Sequence, residues 1–89
     1  MIKDKLIILS AKGCAPCSVL EKEVGDKIPV YDIIESDDAY NLAQEIEIIG
    51  VPTVLKKDNN KWLKCDIHSN GDGIRIECDG QEVFKKKIL

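Results

Sequence analysis

The stretch Ser10-Ala11-Lys12-Gly13-Cys14-Ala15-Pro16-Cys17 decides how this chain is read. Two cysteines stand two residues apart, after a short apolar run at 6–9 and before a segment, 18–24, with helical spacing. A helix N-terminus presents unpaired N–H groups and roughly half a positive charge. A thiolate placed there is stabilised, and its thiol pKa falls below the free value of about 8.5. The first cysteine is thereby the better nucleophile. The second, one turn on, is close enough to close a disulfide with it.

Upstream, residues 6–9 read Leu-Ile-Ile-Leu with no polar alternation, which predicts a strand buried on both faces. Downstream, Cys17, Leu20 and Val24 form one helical stripe. Pro16 falls in the first turn, where a missing N–H costs nothing, and Gly25 is a natural stop. After Pro29, residues 30–34 predict a second strand, completing a strand–helix–strand unit with a right-handed crossover. Ser36-Asp37-Asp38 predicts a second helix start, with Ala39, Leu42, Ala43 and Ile46 as its apolar stripe. Gly50 ends that region, and Val51-Pro52-Thr53-Val54-Leu55 is a third extended segment. Asp58-Asn59-Asn60 is a turn, and the alternation over 62–67 predicts a strand antiparallel to 53–57.

The last third carries strong turn chemistry at Ser69-Asn70-Gly71-Asp72-Gly73, then an alternating strand at 74–78. Asp79 is expected near the cap of a short C-terminal helix holding Val83, Phe84, Ile88 and Leu89. A tight turn at 69–72 would set Cys65 opposite Ile74 or Arg75, so Cys65 and Cys78 are expected as separate, half-buried thiols. His68, the one histidine, is expected in an exposed loop.

At 89 residues the chain is expected to be a single domain, 1–89. Its 44% hydrophobic and 33% charged residues are ordinary for a soluble globular protein. A formal net charge of −3 argues against non-specific nucleic-acid binding, and Lys85-Lys86-Lys87 reads as a solvated helix end whose cations suit the dipole. No apolar run has the length of a membrane span, and none forms a signal-peptide core. The expectation is therefore a cytoplasmic protein with no membrane or nucleic-acid partner. There thiols are kept reduced, so a Cys pair reads as catalytic or metal-binding. A four-cysteine zinc site would want a second Cys-X-X-Cys, which the chain lacks, and no metal is expected.

With Cys14-Ala15-Pro16-Cys17 and Val51-Pro52-Thr53 both in place, the chain resembles the thioredoxin and glutaredoxin family over roughly residues 5 to 68. The first motif resembles that family's redox dipeptide between cysteines, and the second its cis-proline loop. The resemblance implies an α/β thioredoxin fold: a mixed sheet of four strands, or five if 61–68 or 73–78 adds one, with helices on both faces. It implies a dithiol–disulfide oxidoreductase in which Cys14 attacks and Cys17 resolves, leaving a redox-active Cys14–Cys17 disulfide. Lys12, Gly13, Ala15, Pro16, Val51, Pro52 and Thr53 would then bind substrate, with Pro52 cis. Expected partners are disulfide-containing protein substrates and an electron donor, either a thioredoxin-reductase-type flavoenzyme or glutathione as co-substrate. No resident cofactor is implied, and a monomer is expected.

The chain also departs from the family's pattern. Gly13 stands where thioredoxins have Trp, and residues 6–9 lack the acid that serves thioredoxins as proton acceptor. Lys12 is not at the offset of the glutaredoxin basic residue, and Glu77 stands where glutaredoxins have Gly. The alternatives are a glutathione-dependent glutaredoxin and a non-catalytic binding or adapter module.

Overall fold

Residues 6–10 alternate their side chains between two hydrophobic layers, and this alternation organises the molecule. In this computed structural model, which describes residues 2–87, Ile7, Ile8 and Leu9 are all fully buried. Strand β1 (Leu6–Ser10) runs parallel to β2 (Val30–Asp32) and antiparallel to β3 (Thr53–Asp58), which pairs in turn with β4 (Lys61–Lys64). The resulting sheet is mixed, in the order β2-β1-β3-β4. Asn59 and Asn60, both in the left-handed region, make the two-residue turn between β3 and β4.

Two helices connect these strands. Helix α1 (Ala15–Val24) buries Cys17, Leu20 and Val24, and its end is closed by Gly25, whose N–H bonds the carbonyl of Glu21. Helix α2 (Asp37–Glu45) starts at Ser36, whose Oγ accepts the Ala39 N–H at 3.2 Å, and Asp37 and Asp38 lie at its positive end. It buries Ala39, Leu42 and Ala43 against Ile7, Leu9 and Leu55, on the sheet face opposite α1.

After β4 the chain leaves this sheet. The Cys65 N–H still bonds the Val54 carbonyl at 2.8 Å, and the chain then turns into a second sheet. That sheet is antiparallel, in the order β5 (Asp66–Asn70), β6 (Gly73–Cys78), β7 (Gln81–Lys87). Ile74 and Ile76 of β6 pack on Ile8, Val54, Leu20, Val24 and Ile28. The second sheet therefore shares with α1 the coverage of one face of the first.

This architecture overturns the expected α/β thioredoxin fold. Strand dominates, the helices are two and short, and the strands form separate four- and three-stranded sheets. No third helix occurs among the described residues. Where a C-terminal helix was expected there is β7, and of its four expected apolar residues Ile88 and Leu89 lie outside the described residues. The physical reason is local. Asp79 and Gly80 adopt φ of 52° and 79°, a two-residue hairpin turn that sets Cys78 opposite Gln81. Between Ile76 and Glu77 the register shifts, so Val83 and Phe84 both reach the core. Two adjacent apolar residues mimic a helical pattern when they straddle a bulge.

The reading of 62–67 as one strand is likewise corrected, because pairing with β3 stops at Lys64 and β5 belongs to the other sheet. Cys65 and Cys78 are corrected from separate thiols to a disulfide. The β5–β6 turn is centred on Gly71-Asp72, where Asn70 Oδ1 accepts the N–H groups of Asp72 and Gly73. Asn70 then faces Gly73 and Asp66 faces Glu77, which brings Cys65 and Cys78 together at the far end of the pair.

Candidate functional site

The loop from β1 to α1 is built to present Cys14. Gly13 has φ of 86°, a conformation that side chains rarely adopt, and the Cys14 N–H bonds back to the Ala11 carbonyl at 3.1 Å. The residue standing where thioredoxins carry Trp thus occupies a backbone position that favours Gly. Cys14 is the N-cap of α1, and its Sγ accepts the Cys17 N–H at 3.2 Å. Pro16 occupies the first turn without loss of a hydrogen bond. The Ser18 N–H and Oγ both donate to the Cys14 carbonyl, at 3.1 and 3.3 Å.

Cys14 and Cys17 are joined as a disulfide, with Cα atoms 5.2 Å apart. Their environments differ. Cys14 is half-buried at the surface, whereas Cys17 is 1% exposed beneath it. An incoming thiolate or disulfide can therefore meet the Cys14 sulfur and not that of Cys17.

The second wall of the site is the loop before β3. The Val51–Pro52 peptide bond is cis, and the Val51 carbonyl oxygen lies 3.7 Å from Cys14 Sγ. Thr53 holds this loop by donating its hydroxyl to the Gly50 carbonyl at 2.7 Å. The structure thus brings Cys14, Cys17 and Val51 together and places Pro52 and Thr53 directly after them. Gly13, Ala15 and Pro16 are exposed around the disulfide. Lys12 is exposed as well, and its ammonium group makes no ion pair among the described residues.

Two other expectations find different settings. Glu77 is engaged by His68 Nε2 at 3.0 Å and lies 3.8 Å from an Arg75 Nη, all on the second sheet. His68 is exposed as expected but stands on β5 rather than in a loop. Both cysteine pairs, Cys14–Cys17 and Cys65–Cys78, are joined as disulfides. No helix among the described residues is long and apolar enough to cross a membrane.

One part of the site was missed by sequence reasoning. A hollow of about 300 Å³ opens beside Val51, between α2 and the loop leading to Pro52. Ile33, Tyr40, Ile48 and Ile49 supply its apolar lining, and Ile49 is fully exposed. The signal was present in Ile48-Ile49, two apolar residues immediately before Gly50-Val51-Pro52, but nothing local says that Ile49 faces solvent.

No family model, curated protein or solved structure matches this chain.

Proposed function

We propose that this protein is a thiol–disulfide oxidoreductase that reduces protein disulfides through Cys14 and Cys17. One observation carries the reading. Cys14 combines surface access, a sulfur at a helix N-terminus accepting a backbone N–H, and a neighbouring carbonyl that precedes a cis-proline. The resemblance of Cys14-Ala15-Pro16-Cys17 and Val51-Pro52-Thr53 to the thioredoxin and glutaredoxin family supports it at the level of the site, not of the architecture.

In the reduced protein, the Cys14 thiolate attacks one sulfur of a substrate disulfide. The substrate S–S bond breaks, a Cys14–substrate S–S bond forms, and the departing thiolate takes a proton. Cys17, deprotonated in turn, attacks Cys14 Sγ and expels the second substrate thiolate. Two electrons have then moved to the substrate and the 14–17 disulfide has formed, the state seen in this structure. A thiol or dithiol donor must return two electrons to complete the cycle. A thioredoxin-reductase-type flavoenzyme and glutathione are the two donor classes in this proposal.

Insulin reduction, assayed with each donor system separately, tests the proposal. Turnover with either donor is expected, and it should vanish in Cys14→Ser. Inactivity with both donors would remove the enzymatic reading and leave a binding or adapter role.

A further inference from the structure

The segment that builds the hollow beside Val51 has an unusual charge. Between residues 28 and 55 stand six acids, Asp32, Glu35, Asp37, Asp38, Glu45 and Glu47, and no Lys, Arg or His. All 13 Lys and Arg residues lie elsewhere, so the remainder of the chain is net positive although the whole is −3. Each of the six acids is exposed or half-exposed. The same segment carries three of the four large exposed apolar side chains among the described residues, Ile34, Tyr40 and Ile49. Exposed apolar side chains on a segment of one sign of charge mark an interaction face, and the charge selects the partner.

From this juxtaposition we infer that the substrate of the Cys14 site is a cationic, disulfide-bearing polypeptide that seats an apolar side chain in the hollow beside Val51. The inference rests on the redox reading of Cys14 and Cys17. Position supports it, because Val51 both lines the hollow and touches the Cys14 sulfur. A side chain held there lies next to the reacting disulfide. Charge complementarity supports it too: Glu47 lines the hollow and the segment that builds it carries no cation, so a partner rich in Lys and Arg gains while an anionic tripeptide or lipid surface is repelled. A second copy of this chain would oppose acid to acid across the same face.

The test uses the oxidised full-length chain and two cysteine-free peptides, one with leucines flanked by Lys and its match with Glu for Lys. Nuclear magnetic resonance titration should shift Ile33, Tyr40, Ile49 and Val51 with the Lys peptide. Its affinity should exceed that of the Glu peptide about tenfold, and the advantage should shrink severalfold between about 0.05 and 0.5 M NaCl. Ile49→Ser removes an exposed side chain and should weaken the Lys peptide without unfolding the protein. Equal affinities, shifts elsewhere, or self-association through this face would overturn the inference. Versions of both peptides closed by an internal disulfide, mixed with the reduced protein, separate the two readings. Charge-selective binding without reduction ends the redox reading and leaves the docking face. Reduction at equal rates for both peptides ends the docking inference and leaves the redox reading.

Discussion

Cys65 and Cys78 are bonded at the corner where the chain passes from one sheet to the other. Cys65 is still hydrogen-bonded to Val54 of β3, while Cys78 closes β6 and is 1% exposed. The cross-link therefore ties the two sheets together beside the core that Val54, Ile74 and Ile76 share. Its sequence separation of 13 makes the closed loop short, and loops of this size stabilise by about 2–4 kcal/mol through restriction of the unfolded chain. The Cys65→Ala/Cys78→Ala double variant should lose about that much in denaturant unfolding, with Cys14 chemistry retained.

The two disulfides should differ in reducibility. Each bond joins a half-buried cysteine to one that is 1% exposed, so burial does not separate them. The α1 N-terminus stabilises the Cys14 thiolate that reduction releases, whereas Cys65 Sγ lies 3.9 Å from the Leu63 carbonyl oxygen. A pair whose reduced form is stabilised is the more readily reduced. Mild dithiol treatment followed by alkylation and mass spectrometry should label Cys14 and Cys17 first. Simultaneous labelling of all four cysteines would show that the helix N-terminus does not set the order.

Under the proposed exchange cycle, Cys17→Ser should trap the mixed disulfide. With the resolving thiol gone, the Cys14–substrate disulfide has no intramolecular exit and accumulates as a covalent adduct on a non-reducing gel. Cys14→Ser should form no such adduct, because the Cys17 sulfur is buried.

Gly73 is needed for space rather than for backbone conformation. A Cβ there would strike the carbonyl oxygen of Lys86 on the neighbouring strand. Gly73→Ala must push β6 and β7 apart and should cost about 1–3 kcal/mol, read from chemical denaturation. Gly71→Ala, two residues away in open space, is the control and should cost far less.

Tyr31 donates its hydroxyl to Asp4 Oδ2 at 2.6 Å, and this hydrogen bond to a carboxylate raises its pKa above the ordinary 10.0, with desolvation adding to the shift. The folded state thus favours the protonated phenol. Its contribution is fully present below the unfolded pKa near 10 and is lost as pH rises through the higher folded value. Wild type and Tyr31→Phe should differ in stability at neutral pH and converge in strong alkali. Asp4→Asn should return the phenolate absorbance titration of Tyr31 toward the ordinary range.

Much of the first sheet could be read in the residues. The apolar run at 6–9, the stripe of Cys17, Leu20 and Val24, and the Ser36 cap each encode a local preference that tertiary packing then used. The placement of Cys14 at a helix start followed from the same local rules. The last third was also marked, by Asp79-Gly80, whose hairpin preference is strong, but Val83-Phe84 hid the alternation because a bulge lets both face inward.

What the linear chain determined by itself is the placement of Cys14 and Cys17 at a helix start and the local elements that hold them, since capping, turn and periodicity act over a few residues. Three things were decided only by the tertiary structure: the split into two sheets, the Cys65–Cys78 bond, and the apolar hollow beside Val51. Each depends on register or on which side of a strand faces a neighbour. A shift of one or two residues in a turn changes every cross-strand partner, and no local propensity records that choice.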